Sequence, residues 1–405
     1  MRAGLRLGSL FGIPVYLDVS WLILAVWIVL GSIDFGAATS PIGPALAGGV
    51  AIALGLLSSL LLHELAHSLV ARAEGIDVKS IDVSLFGAWT AMNREPNNPK
   101  SAFRIAVAGP LANLALFVLL FLLLGFQVFP AGSVSAYVAR SMAAVNLVIA
   151  LFNLLPGVPL DGGHALKAVV WAITGDRYRG MVWAARSGQA IGWSCVAVGL
   201  LLVFRGAFGG LWLGIIGFFA LSSARSYGQF AQLRQAISNL QARDAMQRNF
   251  RVIDAEMTLR DFADRYLVIQ DERETYFAEA DGRYKGLVQP ERLRAIERSQ
   301  WDTMTLIDIV TPMHELDGLA EDAPIERVAV SMERTRRHAI PILTPTGAIA
   351  GLVDKGDIVQ SVGHKLGIEI APDIVQRIRD SNQFPPGFPI ANENGPSAST
   401  SHPPD

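Results

Sequence analysis

Residues 41–67 read PIGPALAGGVAIALGLLSSLLLHELAH: an uncharged stretch of 22 residues, 41–62, is followed directly by His63, Glu64 and His67. A membrane span needs roughly 20 mostly apolar residues, so this stretch predicts a transmembrane helix. Side chains four positions apart share one helix face, which lets both imidazoles bind one metal ion. Glu64 is placed beside them to accept a proton from water. The five-residue pattern also arises by chance on surface helices, but a glutamate within a bilayer costs roughly 2.5 kcal/mol or more unless it has a partner or a function.

Around this stretch the chain divides into an apolar front half and a charged back half. Up to Ala224 there are 13 Lys or Arg and 9 Asp or Glu, against 21 and 27 from Arg225 onward. Charged residues make up 17% of the chain, where about 25% is usual for a soluble protein. We therefore expect a membrane domain followed by a soluble one. The net charge of −2 offers no basic stripe for nucleic acid, and the single Cys195 excludes a disulfide within the chain or a cysteine-based metal site.

Six uncharged stretches predict six spans, the third of them containing a span and then a loop. Basic residues concentrate in the loops on one side of these spans, which predicts that both termini are cytoplasmic. The expected location is the inner or plasma membrane, in contact with lipid and crossed several times. The short basic region at Arg2 and Arg6 precedes an apolar stretch without a clear cleavage site, which predicts a retained span rather than a signal peptide. The six stretches are 19–33, 41–62, 105–139, 141–160, 187–204 and 206–224.

Residues 76–92 read IDVKSIDVSLFGAWTAM, in which β-branched residues alternate with polar ones. This pattern predicts a short strand pair or a re-entrant hairpin between the second and third spans. Backbone of that kind is tolerated at membrane depth only against protein or a watery cavity.

A catalytic zinc takes three protein ligands and keeps a fourth position open, and the candidate third ligand is Asp161. It lies in residues 153–163, NLLPGVPLDGG, directly after the fourth predicted span. The predicted topology has the second and fourth spans running toward the same face, so His67 and Asp161 reach one depth. The alternative is that Asp161 is only a turn residue before two glycines.

These two motifs together resemble the site-2 protease family of intramembrane metalloproteases. The resemblance covers roughly residues 5–224 and implies that Asp161 is the third zinc ligand and that Glu64 activates water. It also implies that Asn153 positions the substrate or stabilises the oxyanion. Gly109-Pro110-Leu-Ala-Asn113 is similar to a further family element at a helix contact, where close helix packing and a direct role stay equally open. Phe86-Gly87-Ala88 resembles the family's re-entrant sheet, although Ala88 stands where a second glycine is more usual.

Beyond Leu240 the chain contains two similar units, residues 241–295 and 304–360, which resemble tandem CBS domains. Such pairs commonly bind adenosine nucleotides, and the resemblance implies that Asp357 is the ribose-binding acid. Arg292 stands at that place in the first copy, so at most one nucleotide site is expected, and a structural or dimerising module is an alternative. The predicted domains are residues 1–224 in the membrane, a linker helix at 225–240, the CBS pair at 241–365 and a disordered tail at 382–405.

The predicted fold class is therefore a polytopic α-helical membrane protein with a site-2 protease core, a short re-entrant β element and a soluble α/β tandem CBS domain. The predicted function is zinc-dependent cleavage of a single-span membrane protein, for instance an anti-sigma factor, under nucleotide control. A homodimer through the CBS pair is compatible with this prediction. The alternatives are a CBS-regulated transporter or channel with a metal site, against which no inverted repeat appears in the spans, and an inactive scaffold.

Overall fold

The computed structural model describes residues 4–36, 42–84, 87–248, 250–267, 275–293, 295–386 and 388. The chain forms two compact units, Met1–Ala231 and Gln232–Asp405. The predicted Phe86 contact and most of the predicted disordered tail lie outside the described residues.

The first unit is built mainly from helices, as its apolar composition requires, because a helix satisfies its own backbone hydrogen bonds in lipid. Among the described residues, four helices are long and apolar enough to cross a membrane, namely Ile42–Ala73, Pro99–Gly125, Val134–Asn153 and Arg177–Phe204. The spans predicted at 19–33 and 206–224 fall on the helices Ser20–Gly36 and Gly209–Ser238 and stay predictions. The first of these contains only a shorter apolar helix, Ser20–Ser32. The helices are α1 (Ser20–Gly36), α2 (Ile42–Ala73), α3 (Pro99–Gly125), α4 (Val134–Asn153), α5 (Asp161–Thr174), α6 (Arg177–Phe204) and α7 (Gly209–Ser238).

Helix ends in this unit follow local chemistry. The Asn98 side chain accepts a hydrogen bond from the Ser101 amide at the start of α3, where Pro99 needs no amide partner. The fourth predicted span was expected to run to residue 160, but α4 ends at Asn153. Residues 154–160 contain two prolines, which cannot continue a helix interior, and they form a loop that leads into α5.

A four-stranded sheet lies beside these helices, with the strand order β1-β2-β3-β4. β3 (Val78–Ser84) and β4 (Gly87–Met92) are antiparallel and confirm the strand pair predicted at 76–92. β1 (Gly4–Leu10) and β2 (Ile13–Asp18) were not predicted, and they precede the first predicted span at 19–33. Ile13, Val15 and Leu17 alternate inward with period two, as a half-buried strand requires.

The second unit contains two small sheets, each with its own apolar core. The strands of this unit are β5 (Phe250–Asp254), β6 (Thr275–Ala280), β7 (Arg283–Val288), β8 (Val310–Pro312), β9 (Leu319–Ala320), β10 (Ala339–Leu343) and β11 (Ile349–Asp354). One sheet has the order β5-β6-β7-β8 and the other β11-β10-β9. The helices of this unit are α8 (Ala242–Ala245), α9 (Leu259–Phe262), α10 (Pro290–Leu293), α11 (Ile325–Thr335), α12 (Lys355–Leu366) and α13 (Pro372–Ser381).

The two copies exchange one element. β8 follows the first copy in the chain and pairs antiparallel with β7, so the start of the second copy completes the sheet of the first. The first copy runs α8, β5, α9, β6, β7 and α10, in the order helix, strand, helix, strand, strand, helix. α13, beyond the second copy, was not predicted; it packs on α12, and its Val375 and Ile378 are buried.

Candidate metal centre

His63 and His67 project from the same face near the end of α2, one helical turn apart. Both are buried, with 5% and 6% of their surface exposed, and their Nε2 atoms lie 3.1 Å apart. α2 has 32 residues and is about 48 Å long at 1.5 Å per residue. The two histidines directly follow its uncharged residues 42–62, which are the part of the helix long enough to span a membrane.

Asp161 is the first residue of α5 and reaches the two imidazoles from the other side. Its Oδ2 lies 3.0 Å from His63 Nε2 and 3.4 Å from His67 Nε2. The candidate ligand atoms of the three residues lie within 4.8 Å of one another. The structure thus brings together the two helix ends that the sequence places at one depth.

The two glycines after Asp161 let the preceding loop fold back over the start of α5. A methyl at Gly162 would lie 2.2 Å from the Leu155 carbonyl oxygen, and one at Gly163 would lie 2.3 Å from the Val158 amide nitrogen. Real Cβ atoms essentially never approach other heavy atoms below 3.0 Å. The glycines therefore allow the tight loop that places Asp161, so its position at a turn and its role as a ligand are compatible.

Outer hydrogen bonds fix which nitrogen of each ring faces the centre. His67 Nδ1 donates to the Ile105 carbonyl oxygen at 2.6 Å, and His63 Nδ1 bonds to Asn113 Oδ1 at 2.5 Å. With Nδ1 protonated, a neutral imidazole presents a lone pair at Nε2. Two nitrogen lone pairs and one carboxylate then face each other within 3.0 to 3.4 Å, an arrangement that needs a cation at its centre.

The donor set and the space around it fit zinc. Two imidazoles and one carboxylate are a ligand set of catalytic zinc, with the fourth position left for water or substrate. Gly109 of α3 faces the ring nitrogens, and a methyl there would lie 2.3 Å from His67 Nε2 and 2.5 Å from His63 Nε2. The helix contact at Gly109-Pro110-Leu-Ala-Asn113 therefore contributes directly, since Gly109 makes room at the centre and Asn113 orients His63.

Comparisons with known proteins agree with this chemistry. The model of Peptidase family M50 matches residues 51–140 and 131–193, and the CBS domain model matches residues 308–364. "Putative zinc metalloprotease sll0528" of Synechocystis is 34% identical over 368 residues, which cover 89% of this chain and 96% of that protein. "Putative zinc metalloprotease Rip3" of Mycobacterium tuberculosis is 33% identical over 395 residues, covering 95% and 99%. The chain belongs to peptidase family M50.

This M50 protein is a site-2 type intramembrane zinc metalloprotease with a CBS domain, and His63, His67 and Asp161 are its zinc site. The family assignment favours the protease over the transporter or channel. The solved site-2 protease from Methanocaldococcus jannaschii is 25% identical and covers 56% of this chain and 95% of that chain, with a TM-score of 0.40. At that TM-score the likeness adds no support of its own. The CBS model matches the second copy, so the first copy stays a prediction.

The Asp161 carboxylate is poised in its ionised form. Its Oδ2 faces the Nε2 atoms of His63 and His67 at 3.0 and 3.4 Å, and a cation shared by the three groups favours the charged carboxylate. An ionised carboxylate is the form that binds a metal ion, so the environment favours the ligand state.

Glu64 lies next to the ligands and is 7% exposed. The Thr90 hydroxyl donates to Glu64 Oε2 at 2.8 Å, and the Ser68 hydroxyl lies 3.1 Å from that of Thr90. Thr90 belongs to β4, so the strand pair contacts the carboxylate directly. Sequence reasoning did not identify Thr90, because a threonine in an alternating strand carries no sign of its partner.

Asn153 and His164 stand apart from the ligand set. Asn153 is the last residue of α4 and half-buried, and in the described part of the chain no hydrogen bond joins its side chain to the zinc ligands. The His164 ring lies 6.0 Å from the Tyr227 ring, and His164 is outside the cluster of candidate ligands in the described part of the chain.

In the second unit a cavity of about 560 Å³ is lined by residues of β6, β7, β10, β11 and α13. Apolar side chains such as Phe277 and Leu352 form part of its wall, and its charged lining residues are Arg337, Lys355, Arg379, Asp354 and Asp380. Lys355 is paired with Glu333, and Arg379 is paired with Asp354. Asp357 does not line the cavity. Its carboxylate is buried and accepts hydrogen bonds from Gln247 and from Arg379 of α13, both at 2.5 Å.

Proposed function

We propose that this M50 protease cleaves transmembrane segments of membrane-tethered proteins, with Glu64 as its general base. The observation that carries the proposal is the position of Glu64: a buried carboxylate adjacent to the zinc ligands, near the end of an apolar helix, with one oxygen held by Thr90. A buried carboxylate is costly in a membrane protein, and general base catalysis gives this one a function.

When bound, zinc supplies Lewis-acid chemistry at this site. Glu64 accepts the proton of the attacking water and then returns it to the leaving amine. The Thr90 hydroxyl holds Oε2, so the carboxylate keeps a fixed direction while Oε1 stays available for the water. Asn153 is proposed to donate to the oxyanion, a role supported by its place in the motif that contains Asp161.

The proposed substrate is a single-span membrane protein, for instance an anti-sigma factor, whose helix unwinds locally before cleavage. A helix hides its carbonyl groups in hydrogen bonds, so the scissile carbonyl is reached only after unwinding. β4 supports this proposal, because within the described sheet it pairs only with β3 and its Thr90 contacts Glu64. An extended substrate segment that adds to the free edge of β4 would lie beside the general base.

The proposal is tested with the full chain purified in detergent and a single-span substrate. Glu64→Gln keeps the shape of the side chain, so we expect wild-type zinc content and a loss of cleavage by about three orders of magnitude or more. His67→Ala should lose the metal as well as the activity. Cleavage by Glu64→Gln at the wild-type rate would refute Glu64 as the base, and stoichiometric zinc in His67→Ala would refute the ligand set.

We further propose that the cavity of the second unit binds an adenosine nucleotide that regulates cleavage. The apolar wall suits a purine ring, and Arg337, Lys355 and Arg379 suit phosphate. Asp357 can bind the ribose only after its hydrogen bond with Arg379 opens, so binding and the docking of α13 compete for one carboxylate. We also propose six spans, cytoplasmic termini and a homodimer through the CBS pair. These three proposals rest on the sequence alone.

Equilibrium binding of AMP and ATP to the full chain in detergent tests nucleotide regulation. Asp357→Asn should weaken binding by about tenfold or more, since a hydrogen bond to a charged group contributes roughly 1.5–3 kcal/mol. Asp380→Asn is the matched control: Asp380 lines the same cavity, and its substitution should change affinity little. Wild-type protein that binds neither nucleotide would refute the proposal.

A further inference from the structure

A line of buried polar side chains connects His63 with α4. Asn113 of α3 and Asn146 of α4 are both fully buried, and Ser59 of α2 is 1% exposed. His63 Nδ1 lies 2.5 Å from Asn113 Oδ1, Asn113 Nδ2 lies 2.7 Å from Asn146 Oδ1, and Asn146 Nδ2 lies 3.0 Å from the Ser59 hydroxyl. Buried polar groups among apolar helices are costly unless each has a partner, and here each member is satisfied.

Asn146 determines which groups donate and which accept hydrogen bonds along this line. Asn146 also lies 2.8 Å from the Met142 carbonyl oxygen, which can only accept a hydrogen bond. The atom of Asn146 facing that carbonyl must therefore be the Nδ2 group, which turns Oδ1 toward Asn113. Asn113 must then present its own Nδ2 group to Asn146.

The same logic continues to the metal ligand. Asn113, with Nδ2 given to Asn146, turns Oδ1 toward His63. An amide oxygen can only accept, so His63 must carry its proton on Nδ1 and leave the lone pair on Nε2. His67 reaches the same state by a single bond to the Ile105 carbonyl oxygen, so the two ligands use different devices for one result.

We propose that Asn146 and Asn113 are positioning residues that set the tautomer and ring direction of His63 from the Met142 carbonyl oxygen. Among the described residues, Asn146 makes no hydrogen bond to a metal ligand, and Asn113 reaches the ligands only through Nδ1 of His63. The inference rests on the zinc site and is independent of the proposed substrate, general base and nucleotide. Its tests need no cleavage assay, so its failure is distinct from theirs.

The first test is zinc affinity, measured by chelator competition on the full chain in detergent. Asn146→Leu removes the group that orients the Asn113 amide, and we expect zinc affinity to fall about tenfold, within the range of 10- to 100-fold typical of lost outer partners. Asn113→Leu should fall further, toward about 100-fold, because His63 Nδ1 then has no acceptor. Adding Asn146→Leu to Asn113→Leu should not lower zinc affinity further, since the line of hydrogen bonds from Asn146 to His63 is already broken.

Met142→Ala is the matched control for packing. It removes a buried side chain from the same turn of α4 but keeps the carbonyl oxygen that directs the relay. We expect a lower melting temperature with zinc affinity unchanged. An equal loss of zinc affinity in Met142→Ala and Asn146→Leu would overturn the proposal, because packing alone would then explain both.

The second test is the tautomer itself, read from ¹⁵N chemical shifts of labelled histidine rings at a pH where the imidazole is neutral. The zinc-free Asp161→Ala chain is used, because Asp161 Oδ2 lies 3.0 Å from His63 Nε2 and would otherwise compete for the ring proton. His63→Gln assigns the signal. With Asn146 present the ring should carry its proton on Nδ1, and adding Asn146→Leu should show a mixture of both tautomers. A pure Nδ1 tautomer in Asn146→Leu, or additive losses of zinc affinity in the double variant, would refute the proposal that Asn146 sets the tautomer of His63 through Asn113.

Discussion

The backbone of α3 at Gly109 lies closer to the zinc ligands than a residue with a Cβ atom would permit. A methyl at this position would lie 2.3 Å from His67 Nε2 and 2.5 Å from His63 Nε2, with ordinary contact beginning at 3.4 Å. We predict that Gly109→Ala strongly weakens zinc binding, because the added carbon competes with the metal for the space in front of both rings.

The size of the effect follows from these distances. To restore ordinary contact, the two ring nitrogens must retreat by about 1.1 Å and 0.9 Å, or α3 must move by a similar amount. Metal sites tolerate deviations of only about 0.2 Å in ligand distances. We therefore expect zinc affinity to fall by more than about 100-fold, beyond the loss typical when only a supporting partner is removed.

The assay is the zinc content of the detergent-purified chain by mass spectrometry after equilibration with a metal buffer, followed by cleavage of a single-span substrate. Gly125→Ala on the same helix is the matched control, since a methyl there meets nothing within 4 Å. It should keep wild-type zinc content and activity. One zinc per chain in Gly109→Ala, bound with wild-type affinity, would refute the reasoning by showing that α3 yields without cost.

Three further predictions concern the base, the soluble unit and the metal. Thr90→Val should lower kcat about 10- to 100-fold with zinc content unchanged, because a hydrogen bond to charged Glu64 contributes roughly 1.5–3 kcal/mol, and Thr90→Ser should keep most of the activity. Burial, and then the neighbouring Asp354, raise the pKa of Asp357 from 3.8 to about 6. The folded state therefore binds this proton more tightly than the unfolded state, so stability should fall as the pH rises through that window, and melting curves of Asp357→Asn should lack this contribution. Chelation of zinc should lower the melting temperature of the wild type, but not that of Asp161→Asn, if zinc binds the folded state at this site.

Several site residues could be predicted because they depend either on the spacing of neighbouring residues or only on the membrane depth at which a span ends. His63, Glu64 and His67 share one helix, and their spacing indicates metal chemistry before any fold is known. Asp161 lies 98 positions beyond His63, yet it was predictable because both follow uncharged stretches that run toward the same face. The strand pair at residues 76–92 was predictable from its alternation. The N-terminal strands were not, since their few apolar residues resemble the start of a span.

The sequence by itself determined the class of this protein: an apolar half with a metal motif at the end of a span, and a repeated, charged half. Those features depend on uncharged length and on helical spacing, which neighbouring residues specify. Only the tertiary structure decided that Thr90 donates a hydrogen bond to Glu64 and that Arg379 donates one to Asp357. It alone also decided that hydrogen bonds connect Asn146 with His63 through Asn113. Such pairs join separate elements, and their contacts depend on how closely helices and strands pack, which no local pattern specifies.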